Sequence, residues 1–181
     1  MKIYTRHGDD GTTGLLYGGR VLKNAEPIEL NGAVDEAQAA LGLARAHGAG
    51  NLELDQMLTE IERDLYVLMA EVATAPENRR KLKEGVSLVT PVMVENLETR
   101  IDALSTRFEM PSEFVIPGQN LVAAVLDVAR TVIRRAERLS VAYGLEGSLV
   151  TKYLNRLSDL VWTMARWQEG DEHVLAKKGK A

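Results

Sequence analysis

Apolar residues recur at intervals of three and four through most of this chain, and that spacing commits it to amphipathic helices packed on one another. Val34, Ala37, Leu41 and Ala44 form the first such face, in a helix expected from Gly32 to His47-Gly48, where glycine suits a C-terminus. Leu54, Leu58, Ile61, Leu65, Leu68 and Val72 form the second, and Pro76 stops it. Residues 77–89 are charged, turn at Gly85, and read as a connecting loop. Thr90-Pro91 then supplies a capping residue and a first-turn proline for a third helix, whose apolar face is Val94, Leu97, Ile101, Leu104 and Phe108. A short extended piece, Phe114 to Gly118, leads to a fourth helix from about Asn120 to Tyr143, with Val125, Val128, Val132, Ala136 and Leu139 as its apolar face. Gly144 and Gly147 separate it from a fifth, about Ser148 to Gln168.

Five helices with modest connections, no internal repeat and no alternating strand pattern predict an all-α fold, a five-helix antiparallel bundle with a four-helix core plus one. With 181 residues, one domain is expected, 1–181. Residues 1–29 are the exception to the helical period, a loop-rich, glycine-rich arm with short β-prone pieces such as Ile3-Tyr4-Thr5. The bundle is expected over 30–168, and 169–181 is a polar tail that needs a ligand or a neighbouring subunit to order it.

Composition excludes several chemistries. There are 0 Cys, so no thiolate metal site, disulfide framework or cysteine nucleophile is available. The 3 His are scattered, no set of metal-ligating residues is assigned, and nothing resembles a Ser-His-Asp triad. The N-terminus lacks the apolar core of a signal peptide, and no window approaches a membrane span, so the expected setting is the cytoplasm. A net charge of -4 disfavours general nucleic-acid binding. Against that acidic background Arg130, Arg134, Arg135 and Arg138 form a local basic stripe.

Three groups of residues carry the materials for chemistry. The loop His7-Gly8-Asp9-Asp10-Gly11-Thr12-Thr13-Gly14 offers backbone N–H groups and two hydroxyls with little side-chain bulk, the materials of an anion-binding nest, although such a loop taken alone is more often a hairpin turn. It is neither a Walker loop nor a dinucleotide fingerprint. On the fourth helix Arg130, Arg134 and Arg138 stack at intervals of four, with Asp127 one turn earlier and Glu137 beside them. Such a stripe is a solvated face with i,i+4 pairs or a set of planar forks suited to triphosphate. On the fifth helix Asn155, Asp159, Trp162 and Arg166 share a face, either toward a cleft or subunit interface or on an exposed flank. The Met residues and Trp167 read as packing.

In their order, Thr5 to Leu15, Gly19-Arg20-Val21-Leu22-Lys23, Gly32-Ala33-Val34-Asp35-Glu36, Phe114 to Gly118, Ala129 to Arg138 and Tyr153 to Asp159 resemble the PduO-type ATP:cob(I)alamin adenosyltransferases over roughly residues 2–168. The resemblance implies a five-helix bundle assembled as a homotrimer, with ATP and corrinoid bound between subunits. It implies that Thr5, Gly8, Asp9, Gly11, Thr12 and Thr13 form the nucleotide loop, that Lys23 reaches phosphate, and that Arg134, Glu137, Arg138 and Asn155 complete the ATP site. Asp35 would pair with an arginine of the stripe, Arg134 foremost, across the interface, which makes Arg134, Asn155 and Asp35 the catalytic candidates. Phe114 is the candidate for an apolar wall against the corrinoid's lower face.

The implied reaction is attack of Co(I) of cob(I)alamin on the ribose 5′ carbon of ATP, expelling tripolyphosphate, with Mg²⁺ alongside the arginines and lysine. The implied partners are a corrin reductase and a cobalamin-dependent acceptor enzyme; no nucleic acid or membrane partner is expected. A competing expectation, on the same fold, is a diverged module that binds or delivers ATP or adenosylcobalamin without catalysis. A third is a helical oligomer that uses the stripe only for salt bridges. Three departures from the family pattern bear on this: His7 for threonine, Gln119 for a second glycine, and Asp127 for the histidine before the stripe.

Overall fold

A computed structural model describes residues 2–171 and 173–176. The chain forms a small hairpin, β1 (Thr12–Gly14) with β2 (Arg20–Leu22), followed by α1 (Glu26–His47), α2 (Leu52–Val72), α3 (Pro91–Ser105), α4 (Leu121–Tyr143) and α5 (Val150–Glu169). A 3₁₀ turn, Pro76–Lys81, lies in the connection expected to be loop. α1 packs on α2 and on α4, α4 on α5, and α5 on α3, so the expected five-helix bundle is present. The short turns between α1 and α2 and between α4 and α5 make those pairs antiparallel neighbours.

The helix ends follow local chemistry. Asn51, Thr90 and Asn120 each accept a bond from the backbone N–H three residues on, satisfying a donor that the first turn leaves unpaired. Gly144, at φ 66°, ends α4 in the left-handed conformation that a side chain would disfavour. α1 starts at Glu26, six residues before the expected Gly32, and shortens the arm to residues 2–25. Its cap, Ala25, has no side-chain bond, and Pro27 in the first turn sets the start instead.

The core lies where the repeats place it on α1 and α2: all ten apolar residues named above for those helices are buried. On α3 Val94, Leu97 and Leu104 are buried and Ile101 partly so, while Phe108 is buried just beyond the helix end. α4 is rotated from the expected face. Leu126, Ala129, Ile133 and Ala136 are buried, Val128 is 58% exposed, and Asp127 points inward in its place. The cause is tertiary, since a buried arginine of α5 meets that carboxylate.

The hairpin reading of the arm is realised, and one further expectation is corrected. The arm carries a β-hairpin, with Thr12 opposite Leu22 and Gly14 opposite Arg20, although three-residue strands are too short to show a period. Part of the tail is docked: Ile116 N–H donates to Val174 O at 2.7 Å and Ala176 N–H to Phe114 O at 2.7 Å. His173 packs edge-on against Phe108 beside that pairing. The remaining tail residues, 172 and 177–181, lie outside the described residues.

Candidate active site

The arm is organised around one arginine. Arg20, opposite Gly14 in the hairpin, donates from Nε to Thr12 Oγ1 at 3.0 Å and from Nη2 to Thr12 Oγ1 at 2.6 Å and His7 O at 2.5 Å. Asp10 Oδ1 accepts from Thr12 N at 2.9 Å and Thr12 Oγ1 at 2.7 Å, a local turn that competes well with any regular structure here. Those bonds from Thr12, with Arg20 nearby, hold the Asp10 carboxyl below its ordinary range. Thr5 Oγ1 accepts from His7 N–H at 3.4 Å.

Lys23 closes the loop from the other side, its N–H donating to Gly11 O at 2.9 Å. A Cβ on Gly8 would lie 3.1 Å from Lys23 Nζ, so the ammonium sits over the Gly8 backbone because that position has no side chain. Gly11, at φ 82°, makes the turn that brings Thr12 back toward Arg20. Asp9 and Thr13 belong to the same loop. Its outer end is pinned to the bundle through Leu16 N–H, which donates to Ala73 O at 2.8 Å.

A second cluster lies on α4 and α5. Asn155 Nδ2 donates to Glu137 Oε1 at 2.8 Å, Arg156 Nη1 donates to Asn155 Oδ1 at 2.6 Å, and Arg138 Nη1 donates to Arg134 O at 3.0 Å. Partial burial raises the Asp159 carboxyl above its ordinary range, with Arg156 and Arg134 opposing and Glu137 reinforcing the rise. These four charged groups therefore share one electrostatic neighbourhood. The guanidinium of Arg134 makes no ion pair among the described residues, whereas Arg135 pairs with Glu36 of α1.

A third cluster sits at the start of α4. Phe114, 86% exposed, Trp162, Arg130, Arg166 and Asp127 line a cavity of about 470 Å³. Arg166, 1% exposed, donates from Nη2 to Asp127 Oδ2 at 2.6 Å and to Glu169 Oε1 at 3.0 Å, with Trp162 5.6 Å from its guanidinium carbon. Asp127 Oδ1 accepts from Arg130 Nε at 3.2 Å. The unusual acid thus engages Arg130 and Arg166 and leaves Arg134 uncommitted. Burial on this scale requires such pairing.

Within one chain the structure joins Thr12 to Asp10 and Arg20 and Lys23 to Gly11, and separately joins Glu137 to Asn155 and Arg138 to Arg134. No hydrogen bond or ion pair joins the two groups among the described residues. Asp35 is exposed and makes no ion pair among the described residues. Phe114 lies at the cavity, away from both groups. Sequence reasoning passed over Arg20 and Arg156 as parts of these clusters, and over Asp10 as a loop organiser. The Asp-x-Thr spacing was a usable sign for Asp10, while Arg20 and Arg156 depend on partners that periodicity does not supply. No group of three or more His, Asp or Glu converges among the described residues.

Comparison with known proteins bears on the whole arrangement. A corrinoid adenosyltransferase of Citrobacter freundii is 39% identical over 178 residues, covering 97% of this chain and 99% of the relative. One from Mycobacterium tuberculosis is 39% identical over 184 residues, covering 98% of this chain and 94% of the relative. Among solved structures, a variant PduO-type ATP:corrinoid adenosyltransferase from Lactobacillus reuteri, complexed with cobalamin and ATP, matches with a TM-score of 0.87 at 28% identity, covering 99% of this chain and 98% of that one. The profile of the cobalamin adenosyltransferases matches residues 3–168, and with the relatives aligned over nearly their full length, the chain belongs to the cobalamin adenosyltransferase family.

Proposed function

We propose that this chain moves the 5′-deoxyadenosyl group of ATP onto Co(I) of a reduced corrinoid, giving the adenosylated corrinoid and tripolyphosphate. The observation that carries the assignment of the site is the continuity of α4. Arg130 opens on the Phe114 cavity, and Arg134 and Arg138 follow at one-turn intervals, so the basic stripe runs about 12 Å from that cavity toward Glu137 and Asn155. A flat apolar-edged substrate at one end and a polyanion along the other suit that layout.

The chemistry asks little of side chains as nucleophiles or bases. The Co(I) electron pair forms the bond to C5′ while the C5′–O bond breaks, and the triphosphate leaves with that bonding pair; no proton is transferred. What the protein supplies is alignment and charge. Arg134, Arg138 and Lys23 face the leaving triphosphate, the loop carrying Gly8, Gly11, Thr12 and Thr13 wraps it at close range, and Asn155 with Glu137 orients the nucleoside. Thr5 and Asp9 shape the loop. Phe114 forms the wall that keeps water from the cobalt's lower face.

Among the described residues no hydrogen bond or ion pair joins the arm to the α4–α5 face, which supports a homotrimer whose sites combine the arm of one subunit with the helices of the next. In that assembly Asp35 meets an arginine of the neighbouring stripe; Arg134, which makes no ion pair among the described residues, is the one we assign. Mg²⁺ accompanies ATP, and no step is routed through it. No described helix is long and apolar enough to cross a membrane. We place the protein in the cytoplasm, fed by a corrin reductase and drained by a cobalamin-dependent acceptor enzyme. The test is anaerobic incubation with ATP, Mg²⁺ and chemically reduced cobalamin, following loss of the cob(I)alamin absorbance. Conversion is expected; ATP binding without conversion would instead favour the delivery module.

A further inference from the structure

Asn155 is held between two groups of opposite character. Arg156 Nη1 has only hydrogens to offer, so the amide atom 2.6 Å from it is the oxygen, and Glu137 Oε1 accepts, so the atom 2.8 Å from it is the nitrogen. Either contact alone would bias the amide; together they fix which end is which. Arg156 is itself anchored, since its Nε donates to Glu98 Oε1 of α3 at 2.8 Å. The chain Glu98–Arg156–Asn155–Glu137 therefore ties three helices to the orientation of one amide.

We propose that Arg156 and Glu98 are positioning residues that present Asn155 to the nucleotide as a hydrogen-bond donor. The inference rests on the adenosyltransferase reading and adds to it. With Oδ1 accepting from Arg156 and one Nδ2 hydrogen given to Glu137, the second Nδ2 hydrogen faces an acceptor such as a purine ring nitrogen or a phosphate oxygen. Glu137 Oε2 beside it faces a hydroxyl or amino donor. Nothing in this role requires Arg156 to touch the ligand. Arg134 and Asp159 lie in the same electrostatic neighbourhood, so removal of Arg156 also alters the field there, and the test has to separate field from geometry.

The experiment compares kcat, KM for ATP and melting temperature for the unaltered protein and for Asn155→Ala, Arg156→Ala, Arg156→Lys, Glu98→Gln and the double variant Asn155→Ala with Arg156→Ala. Losing the charge-assisted bond that orients the amide is expected to raise the KM of Arg156→Ala about tenfold, with kcat nearly unchanged. Arg156→Lys, which keeps a donor but not the fork, recovers part of the loss. Glu98→Gln acts on the amide only through Arg156 and shifts KM the same way by about threefold, with melting nearly unchanged because a half-exposed pair contributes little net stability. The double variant matches Asn155→Ala alone to within about twofold. A double variant markedly worse than Asn155→Ala means that Arg156 acts by its own contact or field, and overturns the inference. So does an unchanged KM in Arg156→Ala. Absence of adenosylation in the unaltered protein overturns the functional reading and this inference with it, which distinguishes the two failures.

Discussion

Replacing Arg166 with methionine removes the centre of the most deeply buried charge network in the described structure. Its guanidinium is 1% exposed and meets Asp127, 6% exposed, at 2.6 Å and Glu169, 0% exposed, at 2.9 Å. Methionine fills most of the volume and leaves two carboxylates in the interior. Asp127 keeps Arg130 at 3.2 Å, and Glu169 keeps His173 at 3.1 Å, so neither acid is wholly abandoned. Breaking a buried pair in this way costs about 3–5 kcal/mol, because desolvated charge persists without its partner. For a chain of this length each kcal/mol is about 2–4 °C, so the melting temperature should fall by roughly 6–20 °C. Calorimetry at fixed protein concentration measures it, since assembly would otherwise shift the midpoint. The triple variant Asp127→Leu, Arg166→Met, Glu169→Leu removes all three charges, and most of the loss should return. A single-variant fall of less than about 2 °C would refute the reasoning, as would a triple variant no more stable than the single.

Other expectations follow from separate parts of the molecule. Gly8→Ala puts a Cβ 3.1 Å from both Lys23 Nζ and Thr12 O; it should raise KM for ATP several-fold while far-UV circular dichroism stays the same, and an unchanged KM would remove Lys23 from the phosphate site. Burial raises the Asp64 carboxyl above its ordinary range, against the opposing hydrogen bond from Tyr153 Oη at 3.0 Å. The folded state thus binds that proton more tightly than the unfolded state, and ionisation of Asp64 opposes folding at neutral pH, an effect relieved as pH falls through the raised value. Asp64→Asn should therefore raise the melting temperature at neutral pH, with a gain that fades toward about pH 4; a gain that grows on acidification would reverse the sign. Asn120→Ala loses both the α4 cap and the bond from Nδ2 to Gln168 O at 2.9 Å, and should cost about 1–2 kcal/mol by urea unfolding.

The helices and most of the core were legible in the sequence because each helix carries its own three-to-four repeat, which needs no knowledge of the neighbour. Thr90-Pro91 and Gly144 announced their helix ends by local chemistry alone. The misreadings share the opposite property. α1 begins ahead of its periodic signal because Ala25 has no capping side chain, and Pro27 is a weaker mark of a helix start. The α4 face was misplaced by one residue because Asp127 is drawn inward by Arg166, 39 positions away, and no local rule ranks an aspartate above Val128 for burial. The docking of residues 174–176 on 114–116 uses backbone bonds, which leave no side-chain signature. In the site, the glycine loop and arginine stripe were visible by composition and spacing, whereas Arg20 and Arg156 owe their positions to tertiary hydrogen bonds.

The most direct test of the central claim is product stoichiometry in the anaerobic reaction, with tripolyphosphate and adenosylated corrinoid quantified from the same sample for the unaltered protein, Arg134→Ala and Asn155→Ala. Attack at C5′ predicts equal molar amounts of the two products, and at least a tenfold loss of rate, roughly 1.4 kcal/mol of barrier, in each variant. Release of orthophosphate or pyrophosphate in place of tripolyphosphate, or full activity in both variants, would contradict the account.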